Sequence, residues 1–170
     1  MIIQNQPQPV FADLAERRGY KIEEPSQEMV KAGIDIILWG VYKDKKKEAR
    51  IIFSVKRRKT KKISKYLDRW TWIEYKGSGG KDGWIYGPSH FIAFERSKDF
   101  VIISRKVLLE FINSNKCKVR WDLPFAKTPK EAKYRIFRHP SSGAQISQIL
   151  TKDIMKLEGA QVWRKDVGAS

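Results

Sequence analysis

The chain has 170 residues, 41% of them hydrophobic, and carries 35 Lys and Arg against 19 Asp and Glu, for a formal net charge of +16. That length suits one domain with a modest core, and the apolar share excludes disorder throughout. No apolar run approaches the roughly 20 residues of a membrane span, and the one cysteine, Cys117, excludes an internal disulfide or a Cys-based zinc site.

The surplus of cations is a statement about partners rather than fold. Nucleic acid leads among polyanions because its closely spaced phosphates release counterions to cationic side chains. An acidic protein is the other candidate, and no membrane partner is expected. Residues 1–9 show neither the basic nor the apolar segment of a secretory signal. A cytoplasmic protein with a reduced, packed thiol is therefore expected.

In chain order, residues 1–9 are rich in Gln and Pro and read as a flexible arm. Val10, Phe11, Leu14, Ala15 and Arg18 recur at helical spacing before Gly19, which predicts a helix over 9–19. Residues 20–32 read as an extended entry and a turn around Pro25. A nearly continuous apolar run over 34–42 predicts a strand buried on both faces. A charged connection leads to a second strand over 50–56, then a basic loop over 57–62. Alternation over 70–76 predicts a strand, and the glycine-rich turn Gly77-Ser-Gly-Gly-Lys-Asp-Gly83 follows. Strands are expected over 90–95 and 100–104, and a helix over 105–113 with Val107, Leu108, Phe111 and Ile112 on one face. Beyond Lys116 the pattern weakens. An edge strand over 134–138 and a last helix over 147–157, with Ile146, Ile149, Leu150, Ile154 and Leu157 aligned, complete the reading. The class is α/β, or α+β mixed, divided as an arm at 1–9, a core at 10–113 and an extension at 114–170.

One carboxylate, Asp35, stands inside the first apolar strand, and charges in buried strands are rare unless paired or coordinating. Metal-dependent phosphodiester hydrolysis needs carboxylates to hold the ion and often a Lys beside them. Residues i and i+2 of a strand share a face, so acid-x-Lys aims a ligand and a cation into one cleft. Ser54-Val-Lys56 has the lysine but a hydroxyl in the acid position, and a hydroxyl is a poor Mg²⁺ ligand. Glu74-Tyr-Lys76 has the complete pattern and offers Glu74 as a compensating acid. A solvated ion pair is the plain alternative for it. Glu16 and Glu28 are weaker candidates.

Gly33-Ile-Asp35, Phe53-Ser-Val-Lys56, Trp72-Ile-Glu-Tyr-Lys76, Gly83-Trp-Ile-Tyr-Gly87 and Phe91-Ile-Ala-Phe-Glu95 resemble small phage and bacterial proteins of the PD-(D/E)XK nuclease-like group, over roughly residues 10–112. The resemblance implies a restriction-endonuclease-like core, with a central mixed sheet of about five strands flanked by helices. It implies Mg²⁺ or Mn²⁺ at the strand ends and DNA, more than RNA, as substrate. Asp35 and Glu74 would be metal ligands, and Lys56, Glu74 and Lys76 catalytic. Ser54 would be a degenerate acid position, where this chain departs from the group. Phage nucleic-acid processing in a host cytoplasm, and a possible homodimer, belong to the same expectation. A nuclease-derived binding protein that has lost cleavage is the alternative.

Between Lys43 and Lys65 stand twelve Lys or Arg and two acids. Lys45, Lys46, Lys47, Arg57, Arg58, Lys59, Lys61, Lys62 and, further on, Lys81 are the expected phosphate contacts. Trp70, Trp72, Trp84 and Tyr86 flank the glycine turn as core residues or as stacking platforms. The spacing of Gly77-Ser-Gly-Gly-Lys81 is not that of a Walker loop. His90 and His139 have no ligand-like spacing and are expected to be structural.

Overall fold

A computed structural model describes residues 9–41, 48–58, 64–114 and 119–166. In chain order its elements are α1 (Pro9–Arg17), β1 (Lys21–Glu23), α2 (Gln27–Lys31), β2 (Ile36–Val41), β3 (Glu48–Lys56), α3 (Lys65–Arg69), β4 (Trp70–Lys76), β5 (Phe91–Glu95), β6 (Asp99–Ser104), α4 (Arg105–Ile112), β7 (Phe137–Arg138), β8 (Gln145–Leu150), α5 (Thr151–Met155) and β9 (Gln161–Arg164). The protein is mixed α/β, with a six-stranded sheet in the order β1-β2-β3-β5-β6-β9 and a three-stranded sheet in the order β4-β8-β7. It forms two compact units, residues 1–63, 88–104 and 161–170 in one, residues 64–87 and 105–160 in the other. Among the described residues no helix is long and apolar enough to cross a membrane.

The first unit is built on the six-stranded sheet. Its β3/β5 junction is parallel and its other junctions are antiparallel. Amphipathic α1 buries Phe11, Leu14 and Ala15 against Ile36, Leu38, Ile51, Phe53, Val55, Phe100 and Trp163. Phe11 is the hub: its ring lies 5.4 Å from Phe53, 5.2 Å from Phe100 and 5.3 Å from Trp163, stacked on the last. Truncating a fully buried Phe in such a setting costs about 3–5 kcal/mol. Gly19, at φ 86°, ends the helix in a left-handed turn that suits glycine.

The second unit holds the three-stranded sheet. Ser64 caps α3 by accepting from the Leu67 amide. β4 alternates as its sequence predicts, with Thr71, Ile73 and Tyr75 buried. Two buried hydroxyl pairs tie it across to the following strand and helix, Thr71 with Thr151 at 2.7 Å and Tyr75 with Ser147 at 2.8 Å.

Three expectations are corrected. The helix expected over 147–157 is a strand, β8, followed by the short α5. Ser147, Gln148 and Ile149 are all buried, and the ladder to β4 satisfies their backbone where a helix would have left Ser147 and Tyr75 without each other. The strand over 70–76 forms as expected but belongs to the second sheet, paired with β8. The division of the chain is not linear either. β9 returns at the end of the sequence to pair with β6, so the first unit contains both early and late residues.

Candidate active site

The first unit places Asp35, Ser54 and Lys56 at one end of the six-stranded sheet, where β2 begins and β3 ends. The pairing Ile36↔Phe53 closes the ladder there. Beyond it the Asp35 amide donates to the Phe53 carbonyl at 2.9 Å, and the Val55 amide donates to Asp35 Oδ2 at 2.6 Å. The Asp35 carboxylate thus takes over as acceptor where the neighbouring strand runs out. Gly33, just before it, sits at φ 91°, which lets the chain turn into β2.

Faces follow from alternation. Ile36, Leu38, Ile51, Phe53 and Val55 pack on α1. Ser54, Lys56 and Ile37 therefore point to the opposite face, and Asp35 is in step with Ile37. The acid and the lysine share a face, as the acid-x-Lys argument requires. Ser54 shares that face, two residues before Lys56 in β3, is 4% exposed, and its hydroxyl donates to the Gly33 carbonyl at 2.6 Å. It is turned to a structural partner rather than held open as a ligand.

Burial pushes the Asp35 carboxyl above the ordinary aspartate value, against the Val55 hydrogen bond and the nearby charges of Lys56 and Arg57. This is a carboxylate kept where its charge is disfavoured, a pattern enriched at functional sites.

A second acid, Glu95, ends β5 at the same end of the sheet and was missed by sequence reasoning. Its signal was available: like Asp35, it is a carboxylate bounding an apolar strand. Glu95 is in step with Ala93 and Phe91, which pack on the α1 side. It accepts from the Arg58 amide at 3.0 Å and from Lys165 Nζ at 2.9 Å. Glu95 therefore serves the other face and does not join Asp35.

Glu74 and Lys76 belong to the second unit. Glu74 is half-buried opposite Ile146, on the strand face that also carries Trp70 and Trp72, and a register irregularity separates it from the exposed Lys76. Trp72 packs on Ala126, Ala132 and Phe137 and is a core residue. The glycine turn is tied rather than open. The amides of Gly77, Gly79, Gly80 and Gly83 donate to Lys81, Ser142, Gly77 and Tyr75 carbonyls, which leaves none of these four to cradle a phosphate. Lys81 is exposed at its edge. His90 Nδ1 accepts from the Ile52 amide. Glu16 and Glu28 are exposed on α1 and α2. Of the expected phosphate contacts, Arg57 and Arg58 follow β3 directly, while Lys45, Lys46, Lys47, Lys59, Lys61 and Lys62 lie outside the described residues.

Among the described residues no group of three or more His, Cys, Asp or Glu side chains is placed to hold a metal ion. Among the described residues, alternation also puts Glu23 and Asp99 on the Lys56 face, but Glu23 is engaged by Trp39 and Arg50 and Asp99 by Arg96, which leaves Asp35 as the acid for an ion. That fits Mg²⁺ only in its least demanding mode, one carboxylate with the remaining positions filled by water and substrate phosphate. The chain matches no protein-family model, no curated protein and no solved structure.

Proposed function

We propose that this protein binds DNA and hydrolyses its phosphodiester backbone with Mg²⁺ or Mn²⁺, using the end of the six-stranded sheet where Asp35 and Lys56 share a face. The observation that carries the reading is Asp35: a carboxylate whose pKa burial raises, kept beside Lys56 and Arg57. Its position supports the reading further. In mixed sheets, ligands gather beyond the carboxyl ends of parallel strands, and β3 and β5 are the parallel pair. A mixed sheet of this kind also accords with the restriction-endonuclease-like core that the sequence resemblance implies.

Asp35 would hold the metal, its orientation fixed by the Val55 amide. A bound divalent ion supplies an activated water and a counter-charge for the phosphorane oxygens. Lys56 would meet a phosphate oxygen from the same face, and Arg57 and Arg58 would position the backbone without reading sequence. Purified protein should nick supercoiled plasmid in Mg²⁺ or Mn²⁺, and Asp35→Asn should reduce the rate by roughly 100-fold or more, the several kcal/mol a metal contributes. Equal nicking by Asp35→Asn and wild type would refute the site.

One observation favours a second reading, a nuclease-like protein that binds without cutting. Ser54 is buried and engaged with Gly33, so the position that usually carries an acid carries none. Salt-sensitive DNA binding with no metal-dependent nicking would decide for it.

A further inference from the structure

We infer that the second unit carries a separate site for an unpaired, phosphate-bearing base, a stacking cleft for single-stranded nucleic acid. It lies within that unit alone and is a cleft of about 320 Å³ lined by Lys65, Tyr66, Arg69, Trp70 and Lys133. That volume is at the low end of the roughly 300–1,000 Å³ of small-ligand sites, which suits one nucleotide rather than a long groove.

The local sequence builds it economically. In Lys65-Tyr-Leu-Asp-Arg-Trp70, two pairs stand at i and i+4: the aromatics Tyr66 and Trp70, and the cations Lys65 and Arg69. Side chains four apart on a helix are neighbours, so α3 sets Lys65 beside Arg69, and Trp70, the first residue of β4, follows at the end of the helix that carries Tyr66. Both rings address one point. Lys133 Nζ lies 5.5 Å from the Tyr66 ring centroid and 5.1 Å from that of Trp70. A flat ring that displaced the Lys133 ammonium from that point would meet two π-faces, with Lys65, Arg69 and the displaced Lys133 around it for its phosphate.

The surrounding structure holds these groups in place. The Tyr66 hydroxyl donates to Gln148 Oε1 at 3.0 Å, and Gln148 is itself 1% exposed. Tyr134 stands with its ring edge to Trp70, centroids 6.1 Å apart. Among the described residues it is the one non-glycine at positive φ, 53°. Its amide bonds to the Gln148 carbonyl, and its hydroxyl to Asp153 and the Leu150 amide. A left-handed tyrosine persists only where its surroundings over-determine it, and such residues gather at binding sites.

The chemistry selects the ligand. Two aromatic faces alone would suit an organic cation, but three basic side chains disfavour one. An anion without a ring would leave both faces unused. A base in a duplex has its faces covered by its neighbours, so the fitting ligand is an unpaired nucleotide. The inference shares with the proposed function only its nucleic-acid partner and does not depend on cleavage.

The experiment measures anisotropy of a fluorescein-labelled twelve-nucleotide oligo(dT) and of an abasic strand of equal length and charge. Wild type should bind oligo(dT) more tightly than the abasic strand. Tyr66→Leu and Trp70→Leu should weaken oligo(dT) binding by roughly 5- to 140-fold, the span of one base stack, and leave abasic binding unchanged. Tyr66→Phe, which keeps the ring, should retain most of the affinity. Lys65→Glu with Arg69→Glu, on exposed positions away from the core, should weaken both strands. Melting curves establish that each variant is folded. Equal affinity for the two strands in wild type, or unchanged oligo(dT) binding by folded Tyr66→Leu, overturns the inference. The stacking assay reads the difference between two strands of equal charge and the plasmid assay reads nicking, so a failed cleavage assay and a failed stacking assay are separate results.

Discussion

The Ser54 hydroxyl donates to the Gly33 carbonyl at 2.6 Å, from a side chain only 4% exposed. The contact ties the end of β3 to the turn that delivers Asp35. It also changes what restoring an acid there would do. Ser54→Asp would bury a carboxylate against a carbonyl oxygen and should destabilise the protein by about 3–5 kcal/mol, as an uncompensated buried charge does. Ser54→Ala, which leaves the Gly33 carbonyl without its donor, should cost about 1–3 kcal/mol. Urea unfolding measures both. A Ser54→Asp protein as stable as wild type would mean the position opens toward solvent or metal, and the inward reading of Ser54 would fall.

Asp35 makes a pH-dependent prediction whose sign is opposite to that of a salt-bridged carboxylate. Its pKa in the folded protein is raised, by burial first. The native state therefore holds the proton more tightly than the unfolded chain. Between the ordinary aspartate value and the raised native value, stability falls as pH rises. Above both values the penalty is complete, and below both it is gone. Asp35→Asn should accordingly be more stable than wild type near pH 7, and the advantage should disappear by about pH 3, below the ordinary aspartate pKa of about 3.9. Unfolding curves at several pH values test this. An advantage that grows toward acid would contradict it.

Arg57 and Arg58 leave β3 at the same end of the sheet as Asp35. If they meet phosphates, binding of duplex DNA should fall steeply with salt. Each of Arg57→Ala and Arg58→Ala should reduce the slope of log affinity against log salt by about 1 while weakening all sequences alike. A slope unchanged in the double variant would place the DNA elsewhere.

The Tyr75–Ser147 hydroxyl pair reports on the second sheet. Tyr75→Phe leaves the Ser147 hydroxyl, which is 0% exposed, without that partner and should cost about 1–3 kcal/mol. Adding Ser147→Ala should recover part of the loss, a coupling that a double-mutant cycle measures. Purely additive effects would argue against the register of β4 and β8.

The sequence discloses local pattern well and partnership poorly. The alternation of Trp70-Thr-Trp-Ile-Glu-Tyr-Lys76 sets β4 residue for residue, and the α1 face around Phe11 and Leu14 is legible from spacing alone. Sheet membership is not, because a strand alternates identically whichever neighbour it pairs with, so the assignment of Glu74 to a second sheet carries no local mark. Ile146, Ile149 and Leu150 fit helical spacing by coincidence. What made them a strand was the ladder to the distant β4. Asp35 announces itself as an acid in an apolar run, whereas the engagement of Ser54 depends on a carbonyl 21 positions away. The aromatic cleft is half legible, since Tyr66 and Trp70 are four apart, but Lys133 arrives from the far side of the sequence.

The stacking of Trp163 on Phe11 and the pairing of β9 with β6 have a consequence for biosynthesis. The residues that seal the largest sheet leave the ribosome only after the whole of 105–160 has been made. Until they emerge, the β6 edge offers unpaired amides and carbonyls, and α1 lacks one wall of its pocket. Such late, long-range closure slows folding and prolongs exposure of an adhesive edge. A nascent chain of this protein would be most vulnerable to aggregation in the interval between completing β6 and releasing β9, and would be a natural client for chaperones during that window.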